Sequence, residues 1–460
     1  MNSDSNIKKN LSIWTFVLLI LSAKMSGAQE IITLQQALEL ALKNNLQIKQ
    51  TQFDESLADE TFKQSKLALY PSLNSNNNVR LNYGLSIDPA TNNMVNTNQM
   101  TSNIGVSANA ALFQGFQKIN QISRNKYLLE ANKSATQKAK NDLIVLVLST
   151  YLQVLANQDV LQAAKQQLAY NQQQLDREQK FFDVGNKTLA DLSQAKAQLA
   201  TTELNVTDAQ NKLDMTLLTL AQLLERDPAL PFHVEKPIIY TETIQAATYS
   251  AAEIYQIALP IFPEIKQAEY TTLASQKEIN MAKGKLYPEL ALQGDLNTRY
   301  SNYTGPNMFG IETPVPPFFT QMKNYFGQSI ALGLNIPIFN NFSARSGIRI
   351  AKVKYDKAKV AEQFAKNTLN KVINKAVLDT RSAEKKYQST QAAHLASKDA
   401  FNVIEKRYYV GLVNSLEYNQ AQTNLNKAQF EAIQAEYDLM FSRKIIDFYL
   451  GKCLVEGGCE

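Results

Sequence analysis

The 460 residues carry 47 Lys and Arg against 42 Asp and Glu, a mildly basic balance that leaves no footprint for nucleic acid. The only histidines, His233 and His394, neighbour no cysteine and stand at no metal-ligand spacing, and no Gly-rich phosphate loop occurs. No catalytic residue, metal site or cofactor site is therefore expected, and energy for any transport has to come from a partner.

At the N-terminus, Lys8 and Lys9 precede an apolar run from Leu11 to Leu21, and Ser26-Gly27-Ala28 offers small residues for cleavage. Residues 1–28 read as a secretory signal cut between Ala28 and Gln29. The run is well short of the roughly 20 residues that span a bilayer as a helix. No cysteine follows the cut to take a lipid anchor, and Trp14, the only tryptophan, leaves with the signal. Past the signal, no stretch reads as a transmembrane helix, which leaves an exported soluble protein or a β-barrel. Cys453 and Cys459 lie in a Gly-containing tail, residues 452–460, where export permits a disulfide without requiring one.

The chain repeats itself. Capping boxes stand at Thr33 with Gln36 and at Ser250 with Glu253, an offset of 217 between Thr33 and Ser250. Ile48-Lys49-Gln50 recurs as Ile265-Lys266-Gln267, and Leu69-Tyr70-Pro71 as Leu286-Tyr287-Pro288, at the same 217. Farther on, Leu112-Phe113 pairs with Ile338-Phe339, Val184-Gly185 with Val410-Gly411 and Gln194-Ala195 with Gln420-Ala421, all at 226. The extra residues fall in one segment, as a tolerant surface loop allows, so the rest is packed in register. Residues 29–227 form the first repeat, 228–249 a Pro-containing linker around Pro231 and His233, and 250–451 the second repeat.

The variable segment of each half alternates as β-strands do. Leu73, Val79, Leu81, Tyr83, Leu85 and Ile87 share one parity against Asn74, Asn76, Asn78, Arg80 and Asn82, and Ile104, Val106, Ala108, Ala110 and Leu112 oppose Asn103, Gly105, Ser107 and Asn109. The second half repeats this with Leu290, Leu292 and Leu296, then Ile330, Leu332, Leu334, Ile336 and Ile338. Hairpins are expected over about 72–113 and 289–339. A half-buried strand of a soluble sheet alternates in the same way. Here the neighbouring helices are long and polar with little apolar surface to cover a sheet, whereas lipid outside and water inside satisfy both faces. Four strands are too few for a barrel, which needs about eight, so several chains must contribute.

From Phe116 to Val184 there is neither Gly nor Pro, enough for a helix of roughly 100 Å, and Ile348 to Val410 matches it. Leu161, Leu168, Leu175 and Phe182 recur every seventh residue, mirrored by Tyr387, His394, Phe401 and Tyr408. On the returning legs Leu192, Leu199, Val206, Leu213 and Leu220 are mirrored by Tyr418, Leu425, Ala432, Leu439 and Ile446. Sevenfold spacing on both legs is coiled-coil packing. A structural rod would show the same heptads but has no use for the strands.

The helix turnings run from Phe182 through Val184-Gly185 to Asp191 and from Tyr408 through Val410-Gly411 to Glu417, with an acid six residues after each Gly. These resemble the periplasmic tips of the TolC-type outer-membrane efflux protein family, and the order of strand hairpin and helices is similar over nearly the whole mature chain. The resemblance implies a fold that is mainly α with a membrane β portion: long antiparallel coiled-coil helices form an α-barrel, and four strands per chain complete a trimeric twelve-stranded β-barrel in outer-membrane lipid. It implies a homotrimer acting as passive exit duct for small molecules, served by a periplasmic adaptor protein and an inner-membrane pump. A type I protein secretion channel and a periplasmic structural coiled coil are the other readings. By the same resemblance, Val184, Gly185, Leu189, Val410, Gly411 and Leu412 meet the adaptor, and Asp191, Tyr408, Glu417 and Gln420 belong to a periplasmic gate. Asp191 and Tyr408 match a linking pair of that gate, Val413 stands where the best-known member has a supporting arginine, and Glu417 matches an acidic ring position.

Overall fold

The computed structural model describes residues 30–87, 92, 94–96, 98–236, 250–303 and 314–452. The expected signal with Ala28 and Gln29, most of the linker, and Cys453 and Cys459 lie outside the described residues. The first half runs β1 (Glu30–Ile32), α1 (Leu34–Asn44), α2 (Leu46–Leu67), β2 (Ser72–Asn82), β3 (Leu85–Ile87), β4 (Met94–Asn96), β5 (Gln99–Gln114), α3 (Gln117–Asp183), α4 (Leu189–Leu223) and β6 (Phe232–Val234). The second runs α5 (Ala251–Ala258), α6 (Pro263–Gly284), β7 (Glu289–Ser301), α7 (Phe318–Asn324), β8 (Gly327–Asn335), α8 (Ser343–Tyr409) and α9 (Ser415–Tyr449).

The repetition is one of element lengths. Helices of 22, 67 and 35 residues occur in this order in each half, while the short opening helix, 11 residues against 8, and the strand segments differ. Both expected capping boxes form, Thr33 accepting from the Gln36 N–H and Ser250 from the Glu253 N–H. Fixed lengths follow from packing, since one inserted residue would rotate a helix by about 100° and turn its apolar stripe away from its partner.

The chain divides into two compact units. One gathers the segments that end at Thr51, Thr136–Pro263 and the chain from Lys366 onward. Its core is centred on Val147, Leu148, Tyr151, Leu155, Leu220 and Leu224, with the short parallel pair of β1 and β6 packed against it. Tyr151 is fully buried, and its hydroxyl lies 3.0 Å from the Ile32 carbonyl and 2.6 Å from that of Glu235, at the ends of those two strands. The expected sevenfold positions are all buried or half-buried, from Leu161 and Leu192 to Phe401, Tyr418 and Leu439. One expectation needs correction. A window of α3 reaches a mean hydropathy of 1.4, enough for a spanning helix by composition. Half of that window is buried in the unit, so its apolar character belongs to a protein core.

The other unit, Gln52–Ala135 with Glu264–Ala365, holds a four-stranded antiparallel sheet in the order β2-β5-β7-β8. Its register sorts the side chains cleanly. Leu73, Val79 and Leu81 lie across from Ala108, Ser102 and Met100, and the same face continues through Val106, Leu296, Leu292, Ile330 and Leu332. The opposite face carries Asn74, Asn76, Asn78, Arg80, Asn103, Asp295, Asn297 and Arg299. Among the described residues α7 packs on this face only at Tyr300, which meets Phe318, and at Thr298, which bonds to Met322; elsewhere the face is bare, with Leu73 73% exposed and Ile330 85%.

Two parts of the expected alternation fall outside this sheet. Leu85 and Ile87 belong to β3, which pairs with β4, because Gly84 at φ +96° turns the chain after β2. Ile336 and Ile338 lie beyond β8, where Pro337 has no N–H to extend a ladder. Helix α7, inside the second hairpin, was not anticipated by the alternation.

Where strands give way to long helices, both halves use two consecutive left-handed residues, Gly115-Phe116 and Asn341-Phe342. An edge-to-face pair accompanies each, Phe113 on Phe116 and Phe339 on Phe342. At the first elbow the backbone of Gly284 comes so close that a Cβ on residue 115 would sit 2.2 Å from its carbonyl oxygen. Gly115→Ala is expected to destabilise the unit by at least about 1 kcal/mol, measured as a lower thermal unfolding transition of the detergent-solubilised protein.

Candidate functional site

Both turns between long helices are built alike. After α3, the Gly185 N–H donates to the Phe182 carbonyl (2.9 Å) and the Asn186 N–H to that of Phe181 (2.8 Å); after α8, Gly411 and Leu412 do the same to Tyr408 and Arg407 (3.0 and 2.9 Å). This crossed pair needs a left-handed residue, and both glycines sit at φ +77°. The next helix starts within a few residues, α4 capped by Thr188 in a box with Asp191 and α9 by Asn414 accepting from the Glu417 N–H. Around these turns Val184, Val410 and Leu412 are each 68% exposed and Leu189 65%. Leu416, equally bare, joins them unanticipated.

Behind the turns the two helical hairpins are tied by polar side chains. Tyr408 donates to Glu178 Oε1 (2.9 Å) and accepts from Lys187 Nζ (3.0 Å). Glu178 is only 2% exposed, and Lys187 Nζ lies 3.8 Å from its Oε2. Ser415 Oγ donates to Asp191 Oδ1 (2.8 Å), Gln422 to Asn171 Oδ1 (2.7 Å), and Asn171 to Thr202 (2.6 Å). Tyr170 donates to Glu405 and meets the Tyr418 hydroxyl at 2.7 Å. Tyr408 stacks on Tyr418 with ring centres 4.6 Å apart, and Val413 packs against this aromatic group.

The electrostatics fix the direction of these bonds. Burial and the Glu178 carboxylate push the Tyr408 hydroxyl well above its ordinary range, so it remains a donor at any physiological pH. Hydrogen bonds from Thr188 and then Ser415 hold the Asp191 carboxyl below its usual value. The space enclosed among Glu178, Asp191, Tyr408, Ser415 and Tyr418 is about 10 Å3, room for no more than a water. The arrangement can fasten two hairpins together but cannot hold a solute.

Of the expected gate residues, Asp191 and Tyr408 line this same space, each bonded to other partners. Glu417 and Gln420 lie on the exposed side of the first turns of α9, with Gln420 bonded to Asn424. Glu178, Lys187, Tyr170 and Glu405 were missed by sequence reasoning. A signal existed: Asn157, Ala164, Asn171 and Glu178 follow at sevens, so one seam position of α3 is mostly polar, and Asn157 also reaches across, to Thr216 at 2.8 Å.

A duplicated chain with long coiled-coil hairpins and an uncovered, two-faced sheet defines a subunit of an outer-membrane channel. The sequence pattern of the outer membrane efflux protein family matches residues 37–226 and again residues 254–452, one match on each half, and the chain belongs to that family. Outer membrane efflux protein BepC of Brucella suis is 21% identical over 89% of this chain and 83% of its own length. Cation efflux system protein CusC of Escherichia coli K12 is 23% identical over 91% of this chain and 85% of its own. The solved CmeC outer membrane channel of Campylobacter jejuni shares the fold with a TM-score of 0.78 at 18% identity, covering 91% of this chain and 85% of that one. The protein is thus located in the outer membrane with a periplasmic extension, in a family made of channels.

Because the carboxyl of Asp191 titrates lower when folded than its ordinary 3.8, its contribution to the joint is fully present above that value. It is lost as pH falls through the depressed folded value. The protection of the backbone amides at residues 188–192, measured by hydrogen exchange relative to the intrinsic rate at each pH, is expected to fall below about pH 4 in the wild type, and in Asp191→Asn that acid step should be missing.

Proposed function

We propose that this chain is one protomer of a homotrimeric exit duct, a passive conduit through which an inner-membrane pump and a periplasmic adaptor expel small molecules. The carrying observation is the sheet: two faces of opposite polarity, and two edge strands, β2 and β8, with no strand partner on their outer sides among the described residues. Open edges are not tolerated in hydrocarbon, so neighbouring copies have to supply the missing pairing, and three copies of four strands make one closed barrel of twelve. The apolar face then meets lipid and the Asn-rich face lines a wet lumen.

In this reading Val184, Gly185, Leu189, Val410, Gly411 and Leu412 receive the adaptor. Their exposure, and two turns alike enough to offer repeated docking points, support it. Asp191 and Tyr408 act in the latch that keeps the tips together, with Glu178 and Lys187 as its other members. Glu417 and Gln420 face the constriction, where a ring of Glu417 carboxylates favours cations. The repeats end near residues 227 and 451 with the linker between them.

Planar-bilayer recording of the purified protein, with its oligomeric mass taken on the same sample, is expected to give small cation-selective steps from a trimer. A monomer without channel activity would overturn the duct. Tyr408→Phe and Asp191→Ala should each raise single-channel conductance, because each removes a bond between the hairpins; unchanged conductance in both would remove the latch.

A further inference from the structure

The sheet's polar face is electrically segregated along its length. Glu289 lies at the end where the strands meet helices and Asp295 midway along β7, whereas Arg80 and Arg299 lie toward the loop end. Arg80 is across from Thr101, which is across from Ser301, and Arg299 is across from Asn103. The two arginines are therefore on one face, two strands and one pleat repeat apart, about 12 Å between their backbones at the usual strand spacing and rise. Two side chains of that length can converge on one group between them. Asp295, four residues from Arg299, is about 13 Å farther down the strand.

A recess of about 270 Å3 opens at this level, lined by both arginines together with Gln99, Asn103, Gln321 and Tyr325, and no carboxylate among the described residues lines it. Arg80 has no hydrogen-bond or ion-pair partner among the described residues. Arg299 is held in place: its guanidinium lies 4.7 Å from the Tyr325 ring centre, an arrangement that keeps the planar group's N–H edge available. Tyr325 follows α7, and α7 is fastened by Gln321, only 1% exposed. The Gln321 side-chain amide accepts from the Ser301 N–H (2.9 Å) and donates to the Ser301 carbonyl (2.8 Å), pairing the edge of β7 beyond the end of β8. Two cations with no counter-ion among the described residues, one of them fixed by a buried anchor, form a preorganised receptor for a group that carries several negative charges.

We infer that Arg80 and Arg299 form a binding site for polyanionic solutes, bearing carboxylates or phosphates, at the loop end of the lumen wall. The placement in a lumen rests on the duct reading above; the site itself does not. Citrate serves as the probe. Added on the loop side of bilayer-inserted channels, it is expected to reduce the open current in a voltage-dependent way, with at least tenfold lower affinity in the double variant Arg80→Gln/Arg299→Gln, and weaker action from the helical side. Equal block of wild type and variant, or conducting wild-type channels indifferent to citrate, would overturn the site while leaving the duct intact. Were no channel to form, the duct reading would fall instead. Calorimetric titration of citrate into the solubilised protein then decides the site: heat of binding in the wild type and none in the double variant supports it, and equal heats or no heat in both refutes it.

Discussion

Every strand at the edge of a sheet leaves a row of backbone N–H and C=O groups, and in hydrocarbon each unpaired group costs several kcal/mol. Among the described residues the β2-β5-β7-β8 sheet has two such rows and an apolar face left largely bare, Leu73 and Ile330 being mostly exposed. This one constraint organises the rest. In the proposed duct it leaves the single chain incomplete and ties membrane insertion to pairing with further copies. Beyond the end of β8 the chain satisfies the edge of β7 itself, the Gln321 side chain pairing with the Ser301 backbone.

The helical hairpins pose the opposite problem. Their seams are packed with Leu, Ala and Val near the core around Tyr151, but toward the turns buried Asn171, Glu178, Thr202 and Gln422 stand beside the aromatic group of Phe401, Tyr408 and Tyr418. The polar bonds among them are ones that water can replace when helices part. An apolar seam has no such substitute. The change of chemistry along α3 and α8 thus fits a bundle that is permanent in one region and releasable in another.

Duplication lets one set of solutions be used twice, with departures where the halves meet different surroundings. The elbows after the strands are both left-handed, yet the first demands glycine, because Gly284 crowds Gly115, whereas the second is made with Asn341, which carries a side chain there. The turns at residues 185 and 411 share their hydrogen bonds and their φ. Their caps differ, Thr188 with Asp191 in one and Asn414 in the other, and only the Asp191 cap also bonds to the opposite hairpin. A capping carboxylate has a second oxygen to spare, and this one is used to join the two repeats.

Much of this was written in local pattern. The offsets of 217 and 226, the Gly-free runs, the capping boxes and the sevenfold spacing determined the duplication, the helices and their buried stripes, because each depends on residues within a few turns of one another. Alternation determined which faces of the strands are apolar, but not where the strands end, since Gly84 and Pro337 interrupt the ladder without breaking the parity of Leu85, Ile87, Ile336 and Ile338. The pairing of β1 with β6, the anchor of α7 on Ser301, and the meeting of Glu178 and Lys187 with Tyr408 were decided only by the tertiary structure. Glu178 and Tyr408 are 230 residues apart in the chain, and neither carries a local mark of the other. Buried polar contacts of that kind arise from the geometry of packed helices, which periodicity specifies as a face but not as a partner.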